Sequence, residues 1–233
     1  MKTDFYLRLD PEQLRKLRRP LRDLCWSLPI LLGEKIAAVR HKRVDSLIDL
    51  PTLEFYQPSR GEPIMETAVT RIQLDLLIHS LRSLASHSGD VAEIGSWRGI
   101  TTLALAQNTT KTVYAIDPHP IGHFEGVEEA YEAFQKRVAT VSNIRYIRKC
   151  SGEAFRQCSD QAFSMVFVDA MHDFVSANFD LTVWSTLITT GGFLALHDVD
   201  DHPGVNLALQ RALRRKKLLP WGYCPNLIVL KKL

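Results

Sequence analysis

The chain has 233 residues, of which 45% are hydrophobic and 24% charged, and its formal net charge is +3. This length suits one well-buried domain with an appendage, and the composition is that of a globular protein, neither a disordered chain nor a disulfide scaffold. The four cysteines lie far apart without the short paired spacing of a zinc site, and no signal-peptide pattern begins the sequence. We therefore expect reduced thiols in a cytoplasmic protein.

The first 60 residues carry the basic excess, with 12 lysines and arginines against 8 acidic residues. Residues 10–48 predict two helices, the first amphipathic because leucines recur at spacings of three and four, at Leu14, Leu17, Leu21 and Leu24. Such a helix more commonly packs on its own domain or on a second subunit, and contact with an anionic membrane surface is the alternative. The apolar stretch Leu24–Leu32 is far shorter than the roughly 20 residues of a transmembrane helix.

Residues 49–63 are rich in proline and predict a linker or lid segment. A helical pattern follows from Ile64 to Ser86, and after it short apolar runs alternate with helical segments. The runs that predict strands are Val91–Ile94, Thr112–Ile116, Ile144–Ile147, Ser164–Val168 and Gly192–Leu196, followed by a terminal hairpin of Leu218–Tyr223 and Asn226–Leu230.

Strands that alternate with helices form a mostly parallel sheet, because parallel neighbours need long crossover connections. The predicted class is α/β: a Rossmann-like, seven-stranded, mostly parallel sheet with one antiparallel strand, helices on both faces and an N-terminal helical appendage. We expect residues 1–63 to form the appendage, as a lid or dimer contact, and residues 64–233 to form the main domain.

The segment Val91-Ala-Glu-Ile-Gly-Ser-Trp-Arg-Gly99 predicts a ligand-binding turn between a strand and a helix. Gly95 and Gly99 allow the backbone to turn sharply and to approach a ligand closely. The spacing differs from the pattern of pyrophosphate binders, so a nucleoside without phosphates is the better ligand. About 20 residues further on, the Asp117 carboxylate can accept hydrogen bonds from both ribose hydroxyls. A simple turn before Pro118 is the alternative.

This combination resembles the class I S-adenosylmethionine-dependent methyltransferases over roughly residues 64–233. The resemblance implies that S-adenosylmethionine is the cofactor, with Asp117 at its ribose. It implies an adenine contact after the third strand, where Ser151 is the residue that carries over. The methionine part of the cofactor would be lined by Glu93, Gly95, Ser96 and Gly99.

A second polar cluster follows the next two strands, in Val166-Phe-Val-Asp-Ala-Met-His-Asp-Phe174 and Gly191-Gly-Phe-Leu-Ala-Leu-His-Asp-Val199. Asp169 and the pair His197-Asp198 end adjacent strands, so their oxygen and nitrogen atoms can converge on a metal. Helix or loop capping by Asp198 and a strand-end hydrogen bond by His197 are the alternatives.

These segments resemble the D-x-x-H and (E/D/H)-D patterns of the branch that contains macrolide-sugar O-methyltransferases and cephalosporin hydroxylase-like proteins. The resemblance implies a magnesium ion held by Asp169, His197 and Asp198, with Asp169 also beside the cofactor. It implies that His172 acts as the general base. An imidazole ligand, however, favours manganese, iron or zinc over magnesium.

The sequence therefore predicts an O-methyltransferase that transfers a methyl group to a hydroxyl of a small molecule, such as a sugar or natural-product glycoside, with help from a divalent metal. A non-methylating cofactor-binding partner protein and an RNA methyltransferase remain alternatives. Arg211–Lys217 form a second basic cluster, but no interleaved aromatic residues or RNA module accompany it, so we expect no nucleic acid partner. We expect a homo-oligomer through the front helices.

Overall fold

The computed structural model of the protein describes residues 20–119 and 127–233. The strands are β1 (Phe55–Tyr56), β2 (Asp90–Ile94), β3 (Val113–Ile116), β4 (Ile144–Ile147), β5 (Phe163–Val168), β6 (Ile188–His197), β7 (Leu218–Cys224) and β8 (Leu227–Lys232). The helices are α1 (Pro20–Arg40), α2 (Arg71–Ser83), α3 (Ile100–Gln107), α4 (Val127–Val138), α5 (Ser151–Gln157), α6 (Phe174–Leu187) and α7 (Pro203–Arg214). Single turns of 3-10 helix occupy Val44–Ser46 and Leu50–Thr52.

The strands form one sheet in the order β1-β7-β8-β6-β5-β2-β3-β4. Strand β8 is antiparallel to both of its neighbours, and every other pairing is parallel. The predicted α/β class and the single antiparallel strand are therefore confirmed. All seven predicted strands are present, with ends that differ by a few residues from those expected.

An eighth strand lies in the segment expected to be a linker. Strand β1 pairs parallel with β7 at the sheet edge, with Phe55 opposite Gly222. Backbone hydrogen bonds flank it, from Glu54 N to Trp221 O at 3.0 Å and from Gln57 N to Tyr223 O at 3.2 Å. Two paired residues are too few to show the alternating pattern by which a strand is recognised, so the sequence gives no sign of β1.

Helix α2 begins at Arg71, seven residues after the start of the helical pattern in the sequence. Its start is set by Thr70, whose backbone N–H donates to Gln73 Oε1 at 2.8 Å. A side chain at this position that accepts a hydrogen bond from the backbone fixes where the helix begins, because the N–H that it accepts from has no partner within the helix. Residues 64–69 consequently run as a loop. The predicted front helix with Leu14 and Leu17 lies outside the described residues.

Helices cover both faces of the sheet, as predicted. One face packs against buried side chains of α6 and α7, including Trp184 and Leu209, while the other packs against Leu76 and Leu81 of α2 and Leu105 of α3. Strand β5 is buried along its whole length, as expected of a central parallel strand. Within residues 20–119 and 127–233, no helix has both the length and the hydropathy needed to cross a membrane.

The segment after α1 is fixed to the domain through Asn206 of α7. The fully buried Asn206 side chain accepts from Lys42 N at 3.2 Å and donates to Lys42 O at 2.8 Å. It also donates to Val199 O at 2.7 Å and accepts from Gln210 Nε2 at 2.9 Å. One amide thus satisfies backbone groups from two segments that would otherwise be buried without partners.

Replacing Asn206 with alanine removes these bonds and leaves the backbone groups of Lys42 and Val199 unsatisfied. We expect Asn206→Ala to lower the free energy of unfolding by about 3 kcal/mol, measured by urea denaturation followed by circular dichroism. The control Gln135→Ala, at an exposed position of α4, should change it by less than about 0.5 kcal/mol. Equal effects of the two substitutions would contradict the role given to Asn206.

Candidate active site

A cleft opens where β2, β3, β5 and β6 end, the edge at which open parallel sheets bind ligands. Its walls come from the turn after β2, from the loop 66–68 and from residues that follow β3, β5 and β6. Eight residues singled out from the sequence line this one cleft: Glu93, Gly95, Ser96, Gly99, Asp117, Asp169, His172 and Asp198.

The turn after β2 needs glycine at position 95 for two reasons. Gly95 has φ +96°, and a Cβ atom there would lie 1.9 Å from the carbonyl oxygen of Asp169. Since non-bonded atoms cannot approach so closely, any side chain would push β2 and the end of β5 apart. The sequence predicted that Gly95 allows a ligand to approach the backbone closely. In the structure, the glycine is needed first for the close packing of the turn after β2 against the end of β5. This packing sets the Asp169 backbone directly beside the turn.

Two polar groups at the base of the cleft suit a charged ligand. Glu93 is 1% exposed, and burial raises its pKa to about 8, although the Thr102 hydroxyl donates to it and opposes the shift. A positive charge in the cleft would favour its ionised form. Ser96 Oγ is buried and makes no hydrogen bond to any described residue. A buried hydroxyl without a partner is available to a ligand.

Asp117 follows β3 and is almost fully buried. Its Oδ2 accepts from Trp97 N at 2.9 Å and its Oδ1 from His119 N at 2.8 Å, so the carboxylate joins the β2 turn to its own loop. Each oxygen keeps lone-pair capacity for a further donor such as a ribose hydroxyl. His119 strengthens this arrangement, because its ring nitrogens contact Trp97 O at 2.5 Å and Tyr146 Oη at 2.7 Å.

Ser151 is the predicted cofactor residue that lies outside the residues lining the cleft. Its hydroxyl donates to Asp180 Oδ1 and accepts from Trp184 Nε1 at 2.8 Å, so it belongs to a buried network on α6. The family resemblance implied that Ser151 contacts the adenine, but it could not show that the side chain turns toward α6.

Asp169, His197 and Asp198 converge as adjacent parallel strands predict, with candidate ligand atoms within 4.8 Å of one another. His197 Nδ1 is buried and makes no hydrogen bond among the described residues, yet it lies 3.4 Å from Asp169 Oδ1 and 3.3 Å from Asp198 Oδ1. Burial lowers the pKa of His197, but the two carboxylates outweigh it and raise the pKa to about 10. A cation of some kind is therefore favoured at this point.

The tautomer of His197 is set by Gln73 of α2, which the sequence analysis missed. Gln73 Oε1 accepts from Thr70 N–H, and Gln73 Nε2 donates to Pro225 O at 2.8 Å. These backbone partners fix which end of the amide is oxygen, and that oxygen lies 3.1 Å from His197 Nε2. His197 must therefore carry a proton on Nε2, which turns Nδ1 toward the carboxylates. Histidine metal ligands are oriented by such a partner on the other nitrogen.

Asp198 is held in place from both sides. It is a non-glycine residue with φ +63°, and its Oδ1 accepts from Asn226 Nδ2 at 2.9 Å. Its Oδ2 lies 2.7 Å from His172 Nε2. Burial raises the pKa of Asp198, but His172 and His197 outweigh this and hold it well below its usual range. The ring of His202 stacks on His172 with centroids 3.9 Å apart.

The loop after β6 is also fixed by Asn226, at the tip of the β7–β8 hairpin. Its Oδ1 accepts from the backbone N–H groups of Asp200 and Asp201 at 3.1 Å each, and its own N–H donates to Asp200 Oδ2 at 2.7 Å. The loop is thus ordered at Asp200, whose Oδ2 also accepts from Tyr223 Oη at 2.8 Å.

Residues 92–199 match a protein-family model described as a methyltransferase domain. The match covers the ends of β2, β3, β5 and β6 and the residues after them that line the cleft, but not the loop 66–68. The cleft therefore lies largely within a segment that matches methyltransferase domains. No curated protein matches the sequence.

Solved structures share the fold of this methyltransferase domain at low sequence identity. The O-methyltransferase TomG from Streptomyces achromogenes, in complex with S-adenosylmethionine, has a TM-score of 0.56 and 18% identity over 73% of this chain and 84% of that one. The calicheamicin methyltransferase CalS11 has a TM-score of 0.52 and 13% identity over 99% of this chain and 96% of that one. An rRNA methylase from Streptococcus thermophilus has a TM-score of 0.54 and 15% identity, over 72% and 99%.

Asp180 gives the methyltransferase domain a testable pH dependence. Burial raises its pKa from 3.8 to about 7, although the Ser151 hydroxyl opposes the shift. Between these values the unfolded chain has released the proton that the folded chain still holds, so stability falls as the pH rises through this window. We expect Asp180→Asn to raise the free energy of unfolding at pH 8 by about 3 kcal/mol.

The gain from Asp180→Asn should shrink as the pH is lowered through this window and vanish below the unfolded pKa of 3.8, because the wild-type carboxyl is then protonated in both states. Denaturation curves at a series of pH values measure this. The exposed carboxylate of Asp160 provides the control, and Asp160→Asn should leave the pH profile of stability unchanged. A gain for Asp180→Asn that is the same at every pH would refute the assignment.

Proposed function

We propose that the protein transfers a methyl group from S-adenosylmethionine to a hydroxyl group of a small molecule, such as a sugar or a natural-product glycoside, with a divalent metal at the acceptor end of the cleft. The observation that carries the proposal is the environment of His197. Its Nδ1 is buried without a hydrogen bond, is turned by Gln73 toward two carboxylates, and lies beside the cleft that Asp117 lines.

The residues at one end of the cleft fit S-adenosylmethionine. Asp117 would accept from the ribose hydroxyls, and the unpartnered Ser96 hydroxyl would bond the methionine end, with Glu93, Gly95 and Gly99 around it. The acidic lining of Glu93, Asp117 and Asp169 complements a cofactor whose sulfonium group is positively charged. When bound, S-adenosylmethionine supplies a methyl group on a sulfur atom that loses its charge in the transfer.

The residues at the other end fit a divalent metal. Asp169, His197 and Asp198 provide two carboxylates and one nitrogen, and a metal would displace the proton that the raised pKa of His197 keeps on Nδ1. The imidazole favours manganese, iron or zinc over magnesium, which prefers oxygen ligands only. A divalent cation there would supply positive charge that lowers the pKa of an acceptor hydroxyl.

His172 is the residue that we propose removes the acceptor's proton. Its Nε2 faces Asp198 Oδ2 at 2.7 Å, so Nε2 holds a hydrogen and Nδ1 keeps the lone pair that can take a proton. The carboxylate that orients an imidazole also stabilises the imidazolium formed after proton transfer. With its side chain 42% exposed, His172 is accessible from the cleft mouth. Asp169, which touches both ends of the cleft, positions the acceptor relative to the cofactor.

Similar solved structures support the acceptor class. TomG is described as involved in tomaymycin synthesis, and CalS11 as a calicheamicin methyltransferase, so two proteins of this fold act in the making of natural products. The first of these is named an O-methyltransferase. A hydroxyl acceptor also agrees with a metal and a histidine base, because a hydroxyl must lose its proton to be methylated.

The first test is calorimetric titration of the purified protein with S-adenosylmethionine. We expect Asp117→Asn to bind at least about ten-fold more weakly, because it replaces a charged hydrogen-bond acceptor by a neutral amide of the same shape. The control Asp160→Asn keeps the wild-type affinity. Equal affinity of wild type and Asp117→Asn would show that the ribose lies elsewhere.

The second test measures release of S-adenosylhomocysteine with a panel of hydroxylated sugars and polyketide glycosides as acceptors. We expect chelation of divalent metals to stop turnover and manganese to restore it better than magnesium. His172→Ala should lower kcat about 10²-fold or more while leaving the affinity for S-adenosylmethionine unchanged.

A direct measurement of metal binding tests the metal site separately from its effect on turnover. By electron paramagnetic resonance of bound manganese, His197→Gln should lose the ion, whereas the exposed control His41→Gln should keep it. Manganese binding that survives His197→Gln, or turnover that persists in the chelated enzyme, would refute the metal site and leave a metal-independent methyltransferase.

A further inference from the structure

The structure joins two basic clusters that lie about 170 residues apart in the sequence. The end of α1 and the end of α7 meet where Gln210 Nε2 donates to Arg40 O at 2.8 Å. A surface groove forms there, and four of its six lining residues are basic side chains while none is acidic: Val39, Arg40, His41, Lys42, Gln210 and Arg214. We name this the basic groove. It lies outside the active-site cleft, with which it shares no lining residue.

Helix α1 has an apolar face that no described residue covers. Its inner side packs on the domain through the buried Gly33 and Ala37 and through Glu34 Oε1, which accepts from Phe174 N at 2.9 Å. On the opposite side, aliphatic side chains recur at helical spacing and are largely exposed: Leu28 51%, Leu31 60%, Leu32 58%, Ile36 43% and Val39 87%. We name this the outer face of α1. Exposed aliphatic residues grouped in this way mark an interaction surface.

Val39 belongs to both features, so the outer face runs directly into the basic groove. We propose that the outer face of α1 and the basic groove together form a docking surface for a membrane that contains anionic phospholipids. Aliphatic side chains of an interfacial helix insert among the acyl chains, while lysine and arginine beside them pair with headgroup phosphates. The combination of an apolar helix face with an adjoining groove free of acidic groups has this complementarity.

Nucleic acid or a second copy of the chain would each suit only one of the two features, the basic groove or the outer face of α1. Nucleic acid would bind the basic groove through phosphates, but bare aliphatic side chains give it neither charge nor aromatic stacking. A second copy paired outer face to outer face would bring two basic grooves near each other without a counter-charge. An anionic bilayer satisfies both features at once, and the docking requires no spanning helix.

The test is co-sedimentation of the full chain with vesicles, either of phosphatidylcholine alone or of phosphatidylcholine mixed with phosphatidylserine. We expect binding to the anionic vesicles only, and weakening by added salt. The variant Arg40→Gln/Lys42→Gln/Arg214→Gln should bind about five-fold more weakly for each charge removed. The variant Leu31→Gln/Val39→Gln should bind about ten-fold more weakly or worse, since it removes the inserted side chains.

Matched controls change the same residue types elsewhere. Arg71→Gln/Arg156→Gln removes two exposed positive charges away from the groove, and Leu219→Gln replaces an exposed leucine of β7 that is 45% accessible. Both should bind the anionic vesicles as the wild type does. Because every substitution is at an exposed site, circular dichroism should show the wild-type fold throughout.

Three results would overturn the proposal. The first is no binding to either kind of vesicle. The second is a stable dimer in sedimentation velocity without lipid that Leu31→Gln/Val39→Gln dissociates, which would assign the outer face to a second copy. The third is salt-sensitive binding of a polyuridine probe that is lost in the basic-groove variant and kept in Leu31→Gln/Val39→Gln, without vesicle binding, which would assign the groove to RNA.

Discussion

The Gln73 side chain connects three separate parts of the molecule, and the polar end of the cleft depends on it. Its amide is pinned by Thr70 N–H at the start of α2 and by Pro225 O in the β7–β8 hairpin. Because both partners are backbone groups with fixed hydrogen-bonding character, the amide cannot be reversed, and His197 can present only Nδ1 to Asp169 and Asp198. One side chain thus links the start of α2, the β7–β8 hairpin and the candidate metal site.

The charge of the cleft follows from where the sheet places its carboxylates. Glu93, Asp117, Asp169 and Asp198 all line it, and burial, with a smaller contribution from the nearby Asp169 and Asp117, raises the pKa of Glu93 to about 8. Desolvated carboxylates repel one another unless positive charge lies near them, and His172 and His197 supply part of it beside Asp169 and Asp198. A sulfonium cofactor at one end and a divalent ion at the other would each relieve part of that repulsion. The same acidity disfavours phosphorylated ligands in the cleft.

The candidate site could be predicted from the sequence where the position of a residue follows from strand order. Asp169 and His197-Asp198 could be expected to meet because they end neighbouring parallel strands, and the glycines near Gly95 mark a sharp turn in any chain. The sequence could not predict which of several possible partners a side chain contacts. Ser151 turns toward Asp180 and Trp184, and Gln73 reaches His197 across 124 residues, a pairing that no local pattern encodes. The one local signal that involves Gln73 is the helix-capping pair that it forms with Thr70. That pair predicts where α2 begins, but it gives no sign that Gln73 contacts the site.

The contact between Gly95 and Asp169 has a thermodynamic consequence. With a hypothetical Cβ only 1.9 Å from the Asp169 oxygen, the turn that would hold the cofactor and the loop that would hold the metal have no free space between them. A ligand that tightens one loop therefore restricts the other. Linkage makes such an effect reciprocal, so each ligand changes the affinity for the other by the same factor. If cofactor and metal bind as proposed, we expect the two ends of the cleft to fill as a coupled pair, with the same final balance whichever binds first.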